Sequence, residues 1–329
     1  MKNILTLLCL AFTMLTNGCI FGQDTNLPDE FGPHPWTATI KLVGEDGNPI
    51  VGADVAVQYN IVPVPTDPNQ PKYGEIKGLS DTNGLFGASH TDNSLGLAIT
   101  VDKSGYYTTH TGHQFYFNEK NRHPSFTLLL KQIGKPIAMY AKKAQIEIPE
   151  IDNPIGFDLI IGDWIAPYGK GVQGDFILQV HRRWVSRNDF DSTLTLSFPN
   201  SSDGLIPNTV PLTEGGELRL SANAPDKGYI SELSESLSHT PTIGWKKDEN
   251  KEQNYYFRVR TILNSQGEVT SALYGKIYGD FTLDPINSKT TWILFTYYLN
   301  PTPNSRNVEF DPKQNLLGGL QPIEQVSAP

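Results

Sequence analysis

Apolar and polar residues alternate along short segments of this chain, which is the pattern of half-buried β-strands. The segment WTATIKLV, residues 36–43, places Ala38, Ile40 and Leu42 on one face. Similar segments follow up to residue 134, separated by turns such as GEDGNP and DTNG, whose Gly, Asn and Asp residues favour sharp reversals. This spacing predicts an antiparallel β-sandwich over residues 36–134, with no convincing helix.

The same alternation resumes in the second half of the chain. In VQGDFILQVHRRW, Phe176, Leu178 and Val180 share one face, and NSQG at residues 264–267 is typical of a hairpin turn. We expect a second, larger β-sandwich over residues 146–313, of no recognised family, and a flexible tail over 314–329. The predicted fold class is therefore all-β, with two β-sandwich domains in series.

The N-terminus is typical of an export signal. One lysine precedes an uncharged run over residues 4–15, which is shorter than the roughly 20 apolar residues that span a bilayer. Residues 1–18 are therefore interpreted as a signal peptide. Residues 19–35, with several prolines, glycines and acids and no periodicity, are interpreted as a tether.

Cys19 is one of two cysteines in the chain, and the other, Cys9, lies inside the signal. The segment LTNGC, residues 15–19, resembles the lipobox of bacterial lipoproteins, in which cleavage precedes a cysteine that carries a lipid. Leu15 stands one position earlier than that pattern prefers, and Thr16 takes its place. The resemblance implies lipidation at Cys19 and a lipid-anchored, exported protein of the bacterial cell envelope, at the outer membrane or facing the periplasm. The alternative is ordinary cleavage that leaves an incidental free thiol.

The charge and composition of the chain bear on which classes of partner it can bind. The formal net charge is −9 and no basic tract is present, which argues against nucleic acid as a partner. A hydrophobic content of 38% allows a packed core.

Three segments of the first domain resemble a known family. GNPIVGADV at 47–55, SDTNGLF at 80–86 and VDKSGYY at 101–107 are similar, in this order, to carboxypeptidase regulatory-like domains. The resemblance implies a transthyretin-like β-sandwich and says little about function. Intradiol dioxygenases share these features, but Gly96 and Ala98 stand about where that family has its iron-binding histidines. The terminal motif of the hydroxyisourate hydrolases, which have the same fold, is absent.

The chain offers few candidates for chemistry. The loop GDWIAPYGKGVQGDF, residues 162–176, combines Asp163, Trp164 and Tyr168, which are candidate ligand contacts for a sugar ring. The favoured alternative is that Trp164 plugs the end of the sandwich. Asp158 and Asp175, together with Asp163, are the carboxylates that a glycoside hydrolase would need.

Two further clusters of residues are candidate binding sites. His110 and His113 lie three apart on a strand and should face opposite ways, so no metal site is expected. HRRWVSR at 181–187 is a basic patch that could meet phosphate or an acidic glycan, although its arginines more often pair with neighbouring acids.

No cofactor, metal or catalytic residue is assigned. The sequence favours a non-catalytic cell-envelope lipoprotein with a binding or display role, whose partner would be an envelope glycan or protein. The alternative is a glycan-active hydrolase or carbohydrate-binding protein that uses the second domain.

Overall fold

The structure is a computed structural model that describes residues 33–61, 72–115, 122–210, 218, 220–285 and 290–329. Strands dominate these residues, and the predicted all-β fold class is confirmed. The signal peptide, Cys19 and most of the tether lie outside the described residues. No helix in the described residues has the length and apolar character needed to cross a membrane.

The first unit is a sandwich of two sheets, with strand orders β4-β1-β7 and β3-β2-β5-β6. Its described strands are β1 (His34–Gly44), β2 (Asp54–Ile61), β3 (Lys72–Leu79), β4 (Leu85–Asp92), β5 (Gly96–Asp102), β6 (Thr109–Gln114) and β7 (Ser125–Leu130). The alternation predicted for β1 is confirmed, because Trp36, Ala38, Ile40 and Leu42 are all at most 1% exposed. They form one core with residues of the second sheet.

The DTNG turn between β3 and β4 is built as its residues predict. The Asp81 carboxylate accepts hydrogen bonds from the backbone N–H groups of Asn83 and Leu85, each at 2.8 Å. Gly84 has a φ of +72°, and a Cβ there would lie 2.5 Å from the Leu42 carbonyl oxygen. A side chain is therefore excluded at this position by both conformation and space.

The second unit contains two six-stranded sheets, in the orders β10-β9-β11-β12-β14-β15 and β13-β16-β17-β18-β8-β19. We call them the front sheet and the back sheet. The strands are β8 (Ile137–Glu147), β9 (Ile155–Asp158), β10 (Asp163–Trp164), β11 (Phe176–Ser186), β12 (Asp189–Ser197), β13 (Gly204–Thr209), β14 (Glu232–Thr240), β15 (Gly244–Lys247), β16 (Gln253–Leu263), β17 (Val269–Asp284), β18 (Trp292–Leu299) and β19 (Phe310–Asn315).

The core of the second unit lies between the two sheets and is rich in aromatic rings. Phe176, Leu178 and Val180 of β11 are fully buried there, as their alternation predicts. The Phe176 ring lies edge-on to Phe257 of the back sheet, with the ring centres 5.2 Å apart. A second apolar cluster covers the outer surface of the back sheet and includes Tyr298, Phe310 and Val326.

The structure extends the second unit beyond both ends of the predicted range 146–313. Residues 137–147 form β8, which pairs with β18 inside the back sheet. Met139 and Ala141 of β8 are buried in the apolar cluster on the outer surface of that sheet. The segment 314–329, predicted to be a flexible tail, packs on the same sheet. Val326 is 6% exposed, and the Tyr298 hydroxyl donates to the Ala328 carbonyl at 3.2 Å. Similarly, β1 begins at His34, inside the predicted tether 19–35.

Direct contacts join the two units. The carboxylate of Glu309, which is 3% exposed, accepts a hydrogen bond from the Tyr107 hydroxyl of the first unit at 2.7 Å. It also accepts from the backbone N–H groups of Gly134 and Lys135 in the connecting segment. The buried Lys131 ammonium donates across the junction to the Leu220 carbonyl. Polar groups with buried partners therefore hold the junction together.

Candidate functional site

The loop at residues 162–176 is held from within by its aspartates. Asp163 accepts hydrogen bonds from the backbone N–H groups of Trp164 and Lys170, each at 2.9 Å. The loop also folds closely on itself, since a Cβ at Gly169 would lie 2.5 Å from the Trp164 carbonyl oxygen. Glycine at position 169 therefore allows the backbone of the loop to pack closely on itself.

Trp164 is part of the core and does not present a ring to solvent. It is 6% exposed, its indole N–H donates to the Glu147 carbonyl at 3.1 Å, and its ring lies edge-on to Phe157. Tyr168 is 41% exposed, and its hydroxyl is hydrogen-bonded to Glu150, which raises its pKa. The three candidate ligand contacts, Asp163, Trp164 and Tyr168, therefore do not form one surface platform for a sugar.

Asp158 and Asp175 are buried partners of a single arginine. The side chain of Arg260, on β16, donates to both Asp175 oxygens at 2.7 and 2.9 Å and to Asp158 at 3.1 Å. Both aspartates are at most 2% exposed. Arg260 also has a positive φ of 55°, at an irregularity in the β16–β17 register. We call these three residues the Arg260 triad.

Backbone amides complete the Arg260 triad. Burial would raise the pKa of Asp158, but backbone N–H groups at residues 160, 161, 172 and 173 donate to its carboxylate and lower it overall. Burial raises the pKa of Asp175, and Arg260 offsets this only in part. The oxygens of both carboxylates are thus engaged in fixing the loop, and neither faces a cleft where a glycosidic bond would lie.

The histidines of β6 face opposite sides of their sheet, as their spacing predicts. The His110 ring is exposed and lies 3.1 Å from the Thr100 hydroxyl, whereas the His113 ring packs against Phe115. No group of three or more metal-ligating side chains forms in the part of the chain that the structure describes.

A row of aromatic rings crosses four strands of the front sheet. Trp184 pairs with Phe190, Phe190 with His239, and His239 with Trp245, and directly paired residues point to the same face. The Trp184 and Phe190 rings stack at 5.3 Å, and the Trp245 ring lies edge-on to Phe190 at 5.5 Å and to His239 at 4.9 Å. We call these four residues the aromatic ladder.

The aromatic ladder continues the inner face of the front sheet beyond the core. Phe190 shares its face with Leu194, which is in the core, but no ladder residue belongs to that cluster. Trp245 is 64% exposed at the end of the row. The Arg182 guanidinium lies over the Trp184 ring, 4.6 Å from its centre. The ladder therefore ends at Trp245 in an accessible indole that is supported by packed rings, and the Arg182 cation covers the ring at the other end, Trp184.

The sequence pattern does not reveal the aromatic ladder, because Trp184 stands within the basic patch at 181–187. In that patch, His181 and Arg183 pair with Asp152 and Asp189, both at 2.8 Å. Apolar residues occupy every second position at 176, 178 and 180, and Trp184 follows the same alternation along β11. This alternation is the one sequence signal that the Trp184 ring faces inward.

Acidic side chains of the front and back sheets approach each other at Glu235 and Asp280. Glu235 of β14 has its pKa raised to about 7, by burial first and then by the neighbouring carboxylates of Asp280 and Asp248. The Tyr255 hydroxyl donates to Asp280 and lies close enough to Glu235 to influence its pKa as well. Protonation of Glu235 therefore removes repulsion between the sheets.

Comparisons with known proteins give no family. No family model and no curated protein matches the sequence. Among solved structures, the shaft pilin spaA of Lactobacillus rhamnosus GG is similar with 11% identity and a TM-score of 0.21, over 52% of this chain and 90% of that one.

Two Bacteroides proteins cover more of the chain. One from Bacteroides uniformis, provisionally named as carbohydrate binding, has 10% identity and a TM-score of 0.18 over 80% of this chain and 97% of its own. One from Bacteroides fragilis, provisionally described as membrane-associated and of unknown function, has 11% identity and a TM-score of 0.19 over 83% and 100%. These scores are too low to bear on function.

Proposed function

We propose that this chain is an exported, non-catalytic protein of the bacterial cell envelope, lipidated at Cys19, whose second unit binds a glycan through the aromatic ladder. The observation that carries the proposal is the Trp245 ring, 64% exposed at the end of a packed row of rings. The first unit would serve as a spacer between the anchor and the binding unit.

The chemistry of the ladder suits a sugar. A flat indole face packs against the C–H groups of a pyranose ring, while flanking polar groups bind its hydroxyls. Arg182 lies on the Trp184 ring, and Lys247 shares the face of Trp245 two residues along β15. Because the rings already pack against one another, little side-chain freedom is lost when a ligand binds.

The carboxylates support a non-catalytic role. A glycosidase needs one carboxyl group to donate a proton and a second to act as nucleophile or base, both reaching the same bond. Asp158 and Asp175 share Arg260 in the interior, and Asp163 is bonded to the backbone of its own loop. The carboxylates that the sequence offered for hydrolysis are therefore used to fix structure.

Affinity electrophoresis tests the binding site. The mature chain should be retarded in gels containing at least one of a panel of soluble neutral and acidic polysaccharides, or should sediment with peptidoglycan. Trp245→Ala should abolish this effect. Ile243→Ala is the matched control, since Ile243 is 77% exposed in the same hairpin and lies outside the ladder. Absence of binding to every polysaccharide, or equal binding by Trp245→Ala, would refute the proposed site.

Mass spectrometry tests the anchor. When the chain is made in a bacterium that processes lipoproteins, its mature N-terminal peptide should begin at Cys19 and carry added acyl mass. Cys19→Ala should release the protein from the membrane fraction. An unmodified N-terminus at another residue would contradict lipidation and leave a freely diffusing exported protein.

A further inference from the structure

A cavity of about 270 Å³ opens on the outer surface of the back sheet. Its walls come from β8, β16, β17 and β18, from Lys251 just before β16, and from the C-terminal segment at residues 326–328. The side chains that matter for chemistry are those of Lys143, Lys251, Asn254, Tyr278, Thr296 and Tyr298. Because the aromatic ladder is on the inner face of the other sheet, this cavity is a separate place on the molecule.

The charge of the cavity is opposite to that of the protein. Two lysines and no carboxylate are among the described residues that line it, whereas the whole chain has a formal net charge of −9. Lys143 is exposed at the rim of the cavity. A third lysine, Lys276, is buried beneath the wall, with its Nζ 4.6 Å from the centre of the Tyr278 ring and 4.7 Å from that of Tyr298. Burial lowers the pKa of Lys276 well below its usual value, so the cationic groups of the cavity are Lys143 and Lys251. The cavity is therefore suited to an anion.

The wall also carries a polar group that lacks a partner. The Tyr278 hydroxyl is buried and has no hydrogen bond of normal geometry among the described residues, although the Leu220 backbone lies nearby. This hydroxyl is enclosed by protein, so Tyr278 contributes its ring, and not its hydroxyl, to the wall of the cavity. The Asn254 side chain is already occupied, since it accepts from the Gly279 N–H and donates to the Glu252 carbonyl.

We propose that this cavity binds a carboxylate-bearing sugar, of the uronic acid class. Lys143 and Lys251 match the carboxylate, and the Thr296 hydroxyl matches a sugar hydroxyl. The Tyr298 ring and Val326 provide apolar wall for the C–H groups. The volume exceeds that of a single water or a small inorganic ion many times over, which favours a molecule of monosaccharide size.

Calorimetric titration of the mature chain with glucuronate, glucose and inorganic phosphate tests this proposal. Glucuronate should bind more tightly than either other probe. Lys143→Gln should weaken glucuronate binding about tenfold, because it removes one charge-assisted hydrogen bond. Thr296→Val should weaken it about fivefold while keeping the shape of the side chain. Lys227→Gln, an equal change of charge at an exposed position outside the cavity, should have no effect.

The outcomes separate this site from the aromatic ladder. Trp245→Ala should leave glucuronate binding unchanged, so the two proposals can fail independently. The proposal is overturned if glucuronate does not bind, if phosphate binds equally well, or if Lys143→Gln and Lys251→Gln both bind as the unaltered chain does. Circular dichroism of each variant identifies any loss of binding that comes from misfolding.

Discussion

Replacing Arg260 with methionine tests the view that the Arg260 triad is structural. Methionine keeps the long stem and the Cβ, so the strain of the positive φ at this position is unchanged. What is lost is the guanidinium that donates to Asp158 and Asp175, whose side chains are 3% and 0% exposed. Two carboxylates then remain in the interior without their cation.

The expected destabilisation is large. Removing one partner of a buried ion pair typically costs about 3–5 kcal/mol, because the remaining charge is left without compensation. The Arg260 side chain is itself 23% exposed, which favours the lower end, about 3 kcal/mol. Arg183→Met is the matched control. Its ion pair with Asp189 is largely exposed, so the expected loss is below about 1 kcal/mol.

The pH dependence of the stability loss should show whether the uncompensated carboxylates cause it. Without Arg260 the pKa of Asp175 rises further, since burial already raises it. The carboxyl group of Asp175 then takes up a proton in the folded state as the pH falls. The free energy of unfolding of Arg260→Met should therefore lie closer to that of the unaltered chain at pH 4 than at pH 7. Asp175→Asn, added to Arg260→Met, should recover part of the loss at pH 7.

Urea unfolding followed by tryptophan fluorescence measures these differences, because Trp164 is buried in the adjoining loop. If Arg260→Met lowers the free energy of unfolding no more than Arg183→Met does, the structural role of the Arg260 triad is refuted. If the stability difference between Arg260→Met and the unaltered chain is the same at pH 7 and pH 4, the uncompensated carboxylates are not its cause.

Three further substitutions probe other buried polar groups. Lys276→Met should raise the free energy of unfolding by at least about 1 kcal/mol at pH 7, because burial holds the Lys276 pKa well below its usual value. Since the unfolded lysine binds more protons, this gain should shrink as the pH rises towards 10, and urea melts at both pH values check it. Glu235→Gln should add about 1 kcal/mol at pH 8, a value reduced for solvent screening, and little at pH 5. The pKa of Glu235 is raised to about 7, so wild-type stability falls as the pH rises through that value; identical pH profiles for the two proteins would contradict this. Tyr107→Phe should cost about 1–2 kcal/mol by removing the hydrogen bond to Glu309, and calorimetry that shows no change would disprove its role at the junction.

Local patterns in the sequence predict much of the fold. Period-2 alternation places Ile40 and Leu178 in their cores, and the DTNG turn follows from the side-chain chemistry of Asp81 and the conformational freedom of Gly84. These features depend on neighbours within a few residues. The transthyretin-like resemblance of the first unit and the lipidation of Cys19 stay predictions.

Features that depend on distant neighbours were not predictable. Arg260 reaches Asp175 across 85 residues of sequence, so nothing near the aspartate indicates its partner. The ladder requires the register of β12 against β14, which pairs Phe190 with His239. The placement of residues 314–329 depends on the open outer surface of the back sheet, which no local pattern reveals.

Nuclear magnetic resonance of the five tryptophan indole N–H groups tests the binding account most directly. The mature chain, labelled with nitrogen-15, is titrated with a polysaccharide that retards it, and the signals are assigned with Trp→Phe variants. The signals of Trp245 and Trp184 should shift, whereas those of the buried Trp36 and Trp164 should not. Unchanged signals for Trp245 at saturating polysaccharide, or a shift confined to Trp164, would contradict binding at the aromatic ladder.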